Sequence, residues 1–375
     1  MRIKILNIVF AVIFVSMLIV PLVFLDPEGG IASEQENRML AARPTISDLT
    51  DDPRGFIRLF DNWFTDNTGF RPDMISLYKQ LDRLETQGQY ANGDYINLIG
   101  REGHHYFAGY EGILIMKYQG KFFLGDDVLE EFAASLDEAR TYLEDRDIPF
   151  TMMICTDKES VYPEYYPESI IRGPGPALLD TVTDYLKENT EIDIFNTKEC
   201  LLAEKENYYV YNKSAGDVGH WNEVGAFFVY RELMKHIGAY IPGTEPLTID
   251  DIDIVYSEDG IPCVTLKQDV AYKKLGPDFF DGVPMDRPFS WENVAYFNDD
   301  TELPTILFMC DSFGETFCKY IPQQFGKTIM IHYKNMEFFK EYCELYEPDI
   351  VVLEVAERQL TWAPEYIYIN EPPEH

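Results

Sequence analysis

Thr305-Ile-Leu-Phe-Met-Cys-Asp-Ser-Phe-Gly314 is the stretch that decides how this chain is read. The run from Thr305 to Cys310 carries no charge and no turn former, which predicts a buried strand. It stops abruptly at Asp311-Ser312, and the spacing that follows predicts a helix over Glu315 to Phe325. Strands that are apolar on both faces belong to parallel sheets with helices on both sides. In such sheets ligands gather outside the carboxyl ends of the strands, so Ser312 is expected at the mouth of a cleft. A helix N-terminus beside it offers free N–H groups to a developing oxyanion. The plainer alternative is that Asp311 or Ser312 simply caps that helix, a common use of either residue.

Working outward, the same helix-then-strand rhythm recurs. Helical spacing marks 128–146, 176–189, 223–237 and 336–346, and short apolar runs mark 149–155, 191–195, 328–333 and 349–355. Alternation of this kind predicts an α/β fold with a parallel sheet flanked by helices. Between 245 and 300 the rhythm changes. Ile252 to Lys267 alternates about Asp259-Gly260, a hairpin signal, and the segment reads as a β-rich insertion.

A second segment, Asp217-Val-Gly-His-Trp-Asn-Glu-Val-Gly225, carries one of the six histidines. A histidine acting as general base needs a carboxylate to fix its tautomer and stabilise the imidazolium. Asp217 and His220, three apart on a polar loop entering the 223–237 helix, supply both groups from one segment. The plainer reading is a surface histidine near a helix start.

Taken together, a Ser in an Asp-Ser turn and an Asp-x-x-His pair resemble the SGNH/GDSL hydrolase superfamily. With the Asp-x-x-His block ahead of the Ser block, the chain looks like the SGNH-like proteins of alginate O-acetylation, also called DHHW proteins. Further stretches carry the resemblance: Glu34-Gln-Glu-Asn-Arg-Met-Leu40, Phe60-Asp-Asn-Trp-Phe-Thr-Asp66 with Gly69-Phe-Arg71, Asp157-Lys-Glu-Ser-Val-Tyr-Pro-Glu-Tyr-Tyr-Pro167, and Pro348 to Arg358. The resemblance implies an SGNH-hydrolase-like fold with Ser312 as nucleophile, His220 as general base and Asp217 as its orienter. It departs from the family in three ways. Asp217 and His220 are separated by two residues where Asp-x-His-Trp is usual, Cys310 stands where Gly is usual, and no Gly or Gly-x-Asn block supplies the side-chain half of an oxyanion hole. Backbone N–H groups near Ser312 and Phe313 are the expected substitute.

Several other residues are candidates for holding substrate. Lys158, in the turn after the 149–155 strand, and Arg358, after the last strand, are placed at the same sheet edge. For Lys158 the alternative is an ordinary surface lysine, and for Arg358 a structural ion pair. Tyr162, Tyr165 and Tyr166 offer ring faces for sugar stacking, with core packing as their alternative. His104-His105 has no carboxylate spacing around it, and adjacent strand residues face opposite ways. The six cysteines show neither C-x-x-C nor zinc spacing. No metal and no other cofactor is expected.

The N-terminus reads as a membrane segment. Ile5 to Leu25 is apolar but for Asn7, Ser16 and Pro21, and its 21 residues at ~1.5 Å each span a bilayer core. Arg2 and Lys4 place the start in the cytoplasm. Residues 1–25 are therefore expected to be an uncleaved transmembrane signal-anchor, 26–54 a Gly/Pro/acidic stalk, and 55–375 an extracytoplasmic SGNH-hydrolase-like domain. Helical spacing runs from Phe56 to Leu84, divided by Gly69 and Pro72. A formal net charge of −34 spread along the chain repels phosphate backbones and disfavours nucleic acid as a partner. The expected partners are a glycan substrate, the membrane, and a multi-pass membrane O-acyltransferase that supplies acyl groups. Three functions fit: an O-acetyltransferase for a surface polysaccharide or cell-wall glycan, a carbohydrate acetylesterase with the same triad, and a non-catalytic glycan-binding scaffold of an acetylation machinery.

Overall fold

A computed structural model of the chain describes residues 10, 14–16, 19–27, 29–30, 32–33, 38–51, 53–71, 74, 89–92, 95–110, 112–268, 271–285, 293–300, 302–370 and 372. The chain divides into two compact units, Met1–Leu98 with Ala108–Gly112, and Ile99–Phe107 with Ile113–His375. About half of the expected anchor, and all of the helical spacing beyond Met74, lie outside the described residues. Among the described residues no helix is long and apolar enough to cross a membrane. In the first unit a short helix, Ile46–Asp51, leads into Pro53–Asn67, whose Trp63 is buried.

The second unit is built on one seven-stranded sheet. Its elements, in chain order, are α1 (Asp126–Glu144), β1 (Phe150–Cys155), α2 (Leu178–Asn189), β2 (Asp193–Asn196), α3 (Glu223–Gly238), β3 (Tyr272–Lys274), β4 (Val294–Asn298), β5 (Thr305–Cys310), β6 (Lys327–His332), α4 (Phe339–Tyr346) and β7 (Ile350–Ala356). The strands lie in the order β3-β4-β6-β5-β7-β1-β2. From β6 to β2 all neighbours are parallel, whereas β4 joins β6, and β3 joins β4, antiparallel. The result is a mixed α/β architecture around a mostly parallel sheet.

Side-chain alternation along each strand feeds two cores. Leu307 and Met309 of β5 share one with α1, α2 and α4. Ile306, Phe308 and Cys310 share the other with α3. Both faces are covered, so an uncharged strand is what this position requires. The segment 245–300 does two things. Ile252–Tyr256 and Pro262–Leu266 form the separate hairpin, while β3 and β4 extend the main sheet.

One helix differs from its expected form. The segment after Ser312 is two 3-10 pieces, Ser312–Lys319 and Ile321–Gln323, instead of one helix to Phe325. Pro322 lacks the N–H that a continuous α-helix would need there. β5 sits where the strand order reverses, since the chain next fills the place on one side of it with β6 and then the other with β7. In open α/β sheets a reversal of this kind marks the strand ends where ligands bind, here the carboxyl end of β5.

Candidate active site

Asp311 ends β5 as an N-cap, and each of its polar atoms is occupied. Its Oδ1 accepts from the Phe313 amide at 2.9 Å, its Oδ2 from the Ala356 amide at 2.8 Å, and its own amide donates to Glu354 Oε2 at 2.9 Å. The cap reading therefore describes Asp311, and it leaves Ser312 for other work. Asp311 thereby ties the ends of β5 and β7 together just behind Ser312. Burial pushes its carboxyl up, opposed by the two amides, and burial followed by the Asp311 charge pushes Glu354 well above the carboxylate range. The chain turns tightly here. A Cβ at Gly314 would lie 2.7 Å from Cys310 Sγ and 2.8 Å from Cys310 Cβ. Cys310, standing where a Gly was expected, is accommodated because position 314 has no side chain.

The loop before α3 comes to the same place. Asn222 caps α3, its side chain accepting from the Val224 and Gly225 amides, and a bridge from Trp221 to Tyr211 holds the loop's end. His220 Nε2 lies 2.8 Å from Ser312 Oγ, and His220 Nδ1 lies 2.6 Å from Asp217 Oδ2. Asp217 Oδ1 also accepts from the amides of Gly219 and His220. Burial raises the Asp217 carboxyl, but the imidazole and these two amides more than offset it and hold it at about 2. The side chain is 61% exposed, so water screens both effects. Phe313 braces the arrangement, its ring edge-on to His220 and to Trp221 at 4.7 Å each. Trp221 Nε1 in turn donates to Thr316 Oγ1.

The chemical capacity of this arrangement is specific. An imidazole held by a carboxylate on one nitrogen can take a proton from a hydroxyl on the other. The Phe313 amide is committed to Asp311, so it is not free for an oxyanion. The Ser312 amide, first in the 3-10 segment, has no acceptor among the described residues, as expected for a helix start.

The four candidate substrate contacts fare differently, and three require correction. Lys158 is 2% exposed, with its ammonium donating to the carbonyls of His105, Asn212 and Lys213 at 2.6, 2.5 and 3.1 Å. Burial lowers it to about 7. It is a strut that pins the 212–213 segment, with no donor left for a substrate. Tyr162 is buried, its hydroxyl accepting from the Val210 amide at 3.2 Å. Tyr166 is buried against Tyr106 and Tyr118. Neither presents a ring face to solvent. Tyr165 instead stacks on the His104 ring at 4.0 Å. Among the described residues no group of His, Cys, Asp and Glu is arranged to hold a metal ion.

Arg358 is an ion-pair residue beside the site. Its Nε and Nη2 reach Asp157 Oδ1 at 2.7 and 2.6 Å, and its Nη2 also donates to the Gly219 carbonyl. Its Nη1 has no partner among the described residues and lies 3.4 Å from where a Gly219 Cβ would be. Its guanidinium covers the Phe107 and Phe313 rings at 4.9 and 5.0 Å. Behind it lies a buried charge cluster not anticipated from the sequence. Lys117 Nζ contacts Asp157 at 2.7 Å and both Glu159 and Glu357 at 3.0 Å. Burial raises Asp157, but Arg358 and then Lys117 more than offset it and hold it below the usual range, while burial pushes Glu159 up to about 7 against the pull of Lys117.

Comparison with known proteins is consistent with this architecture. No protein-family model and no curated protein matches the sequence. In structure the chain is similar to PatB1 of Bacillus cereus, at 15% identity over 62% of this chain and 90% of that one, with a TM-score of 0.48. It is similar to the O-acetyltransferase domain of Pseudomonas putida AlgJ at 14% identity over 71% and 92%, with a TM-score of 0.44. A DHHW family protein of Eubacterium siraeum matches at 11% identity over 76% of this chain and 98% of that one, with a TM-score of 0.53. With that last protein the chain shares its fold.

Proposed function

We propose that this chain is a Ser-His-Asp acyl-transfer enzyme that O-acetylates a surface polysaccharide or cell-wall glycan. The observation that carries the proposal is the alignment of Asp217, His220 and Ser312, with 2.6 and 2.8 Å between successive polar atoms. The acetyl class rests on the motif resemblance to the DHHW proteins, supported by the fold shared with one of them.

In this reading Ser312 Oγ attacks an acyl carbonyl while its proton passes to His220 Nε2, with Asp217 holding Nδ1–H and steadying the imidazolium. The carbonyl oxygen takes the negative charge beside the Ser312 amide. The tetrahedral centre collapses to a Ser312 ester, and His220 returns the proton to the leaving group. A sugar hydroxyl then gives its proton to His220 and takes the acyl group from Ser312, whose departing Oγ is reprotonated by His220. Residues 1–25 hold the chain in the membrane with the catalytic unit outside, near a multi-pass membrane O-acyltransferase that loads the acyl group.

Replacing Ser312→Ala and measuring ester-linked acetate on the surface glycan tests the reading. Loss of acetate is expected, together with loss of labelling by a serine-reactive phosphonate in the purified protein. Unchanged acetate removes the proposal. Turnover of a chromogenic acetyl ester that is indifferent to added glycan would make water the acceptor and the protein an esterase.

A further inference from the structure

The first unit exposes apolar side chains in an organised way. On helix Pro53–Asn67, Ile57, Phe60 and Phe64 share one stripe at i, i+3 and i+7, next to the stripe from which Trp63 and Asn67 face inward. Ile57 is 70% exposed and Phe60 45%. Arg58, Asn62 and Thr65 occupy the opposite side together with Leu59, 42% exposed, and the exposed Asp61 borders the stripe one turn after Ile57. An exposed apolar stripe backed by a polar one is the pattern of a helix lying in a membrane interface.

What identifies the occupant is where this helix is tied. Its last residue, Asn67, accepts through its carbonyl from the Asp26 amide at 3.0 Å, and the Gly69 amide donates to the Pro21 carbonyl at 3.0 Å. A Cβ at Gly69 would lie 2.5 Å from Phe24 Cβ, so the approach is possible only with glycine. The Phe24 and Phe70 rings meet edge-on at 4.8 Å, both exposed, and Phe70 adopts a φ of 64° to reach that position. A non-glycine residue held in the left-handed region costs energy, and this one carries an exposed aromatic ring beside Phe24 near the end of the 5–25 apolar stretch. Residues 38–74 hold five arginines against six aspartates, a net charge of −1, so this segment is nearly neutral in a chain whose net charge is −34.

We infer that helix Pro53–Asn67 lies in the headgroup–acyl boundary of the lipid bilayer entered by residues 1–25, with Ile57 and Phe60 toward the acyl chains. The inference rests on the anchor reading of residues 1–25 and is independent of the catalytic one. Hydrogen bonds at Pro21 and Asp26 fix the helix at the point where the apolar stretch ends, and its 15 residues then run along the surface.

The experiment uses the full chain with exposed Cys263 replaced by serine, reconstituted in phosphatidylethanolamine/phosphatidylglycerol vesicles with and without brominated acyl chains. An environment-sensitive fluorophore is placed at Ile57→Cys, Phe60→Cys or, as control, Asn62→Cys, and vesicle retention in alkaline carbonate is scored on the same samples. The expected result is retention, with emission blue-shifted and quenched by bromine at 57 and 60 but not at 62. Retained protein with water-like, unquenched emission at 57 and 60 overturns the inference while leaving the anchor intact, and is the outcome if a partner protein covers this face. Equal quenching at all three positions overturns it as well, since the helix would be immersed and not lying at the boundary. Release by carbonate removes the anchor reading and the inference together.

Discussion

Arg358→Met is the substitution that best separates the geometry of this site from its chemistry. It keeps the unbranched apolar stem of the side chain, removes the guanidinium, and touches none of Ser312, His220 and Asp217. It removes the two contacts that Arg358 makes with Asp157 and the bond to the carbonyl of Gly219, one residue before the imidazole. Asp157 is fully buried and the Arg358 side chain only 10% exposed, so the pair falls in the class whose one-sided removal costs about 3–5 kcal/mol. Lys117 stays 2.7 Å from Asp157 and keeps it partly neutralised, which puts the expectation at the lower end, about 3 kcal/mol. The orphaned Gly219 carbonyl loses a charge-assisted bond of about 1.5–3 kcal/mol, and the two terms overlap because one guanidinium makes both. Urea unfolding followed by tryptophan fluorescence measures the loss. With Asp157→Asn and the double variant it closes a cycle whose coupling energy is expected at about 2–3 kcal/mol. A purely structural role would leave the folded fraction fully active. A role in placing His220 lowers kcat for acetyl-ester turnover by roughly 10–100-fold, because a displacement of about 1 Å at a catalytic base costs that much. Coupling under about 0.5 kcal/mol, or an unchanged kcat in folded Arg358→Met, refutes the reasoning.

Three further outcomes are expected. Asp217→Asn should lower kcat/KM by up to about 10⁴-fold, less than Ser312→Ala does, since the carboxylate orients and does not react. Because the folded pKa of Asp217, about 2, lies below its ordinary value, its stabilisation is present above that ordinary value and is lost as pH falls toward 2. The urea midpoints of wild type and Asp217→Asn should therefore converge between about pH 4 and pH 2; a constant gap would contradict it. Gly314→Ala should destabilise by about 1–3 kcal/mol through overpacking against Cys310, and Cys310→Gly in the same chain should restore most of the loss, as thermal unfolding will show. Glu159→Gln bears on the buried cluster. A carboxyl raised to about 7 on folding loses stability as pH rises from its unfolded value through 7, so the variant should gain on the wild type across that window in pH-resolved denaturation.

How far the sequence reveals this site depends on how local the determinants are. Ser312 and the His220–Asp217 pair are legible because each is decided within about ten residues. An uncharged strand ending in Asp-Ser fixes a hydroxyl at a sheet edge, and an i, i+3 pair on a loop fixes an imidazole on its carboxylate. Their meeting across 92 positions follows from a single additional fact, that α3 covers the face of the sheet on which Cys310 packs. Lys158, Tyr162 and Tyr166 are misread for the opposite reason. Their segment, Asp157 to Pro167, is polar enough to suggest a surface. Asp157, Lys158 and Glu159 are nonetheless buried, because Lys117, forty positions earlier, and Arg358, about two hundred later, neutralise Asp157, while three carbonyls of other segments solvate Lys158. Polarity in sequence shows that a group needs partners, and it does not say whether water or protein supplies them. The same rule explains Arg358: the neighbouring Glu357 suggests a local ion pair, yet the guanidinium reaches Asp157 and Glu357 turns to Lys117. A charged cluster that folds inward beside the 217–220 loop trades solvation for rigidity, and that rigidity is what holds the carbonyl of Gly219, and with it the imidazole of His220, in line with Ser312.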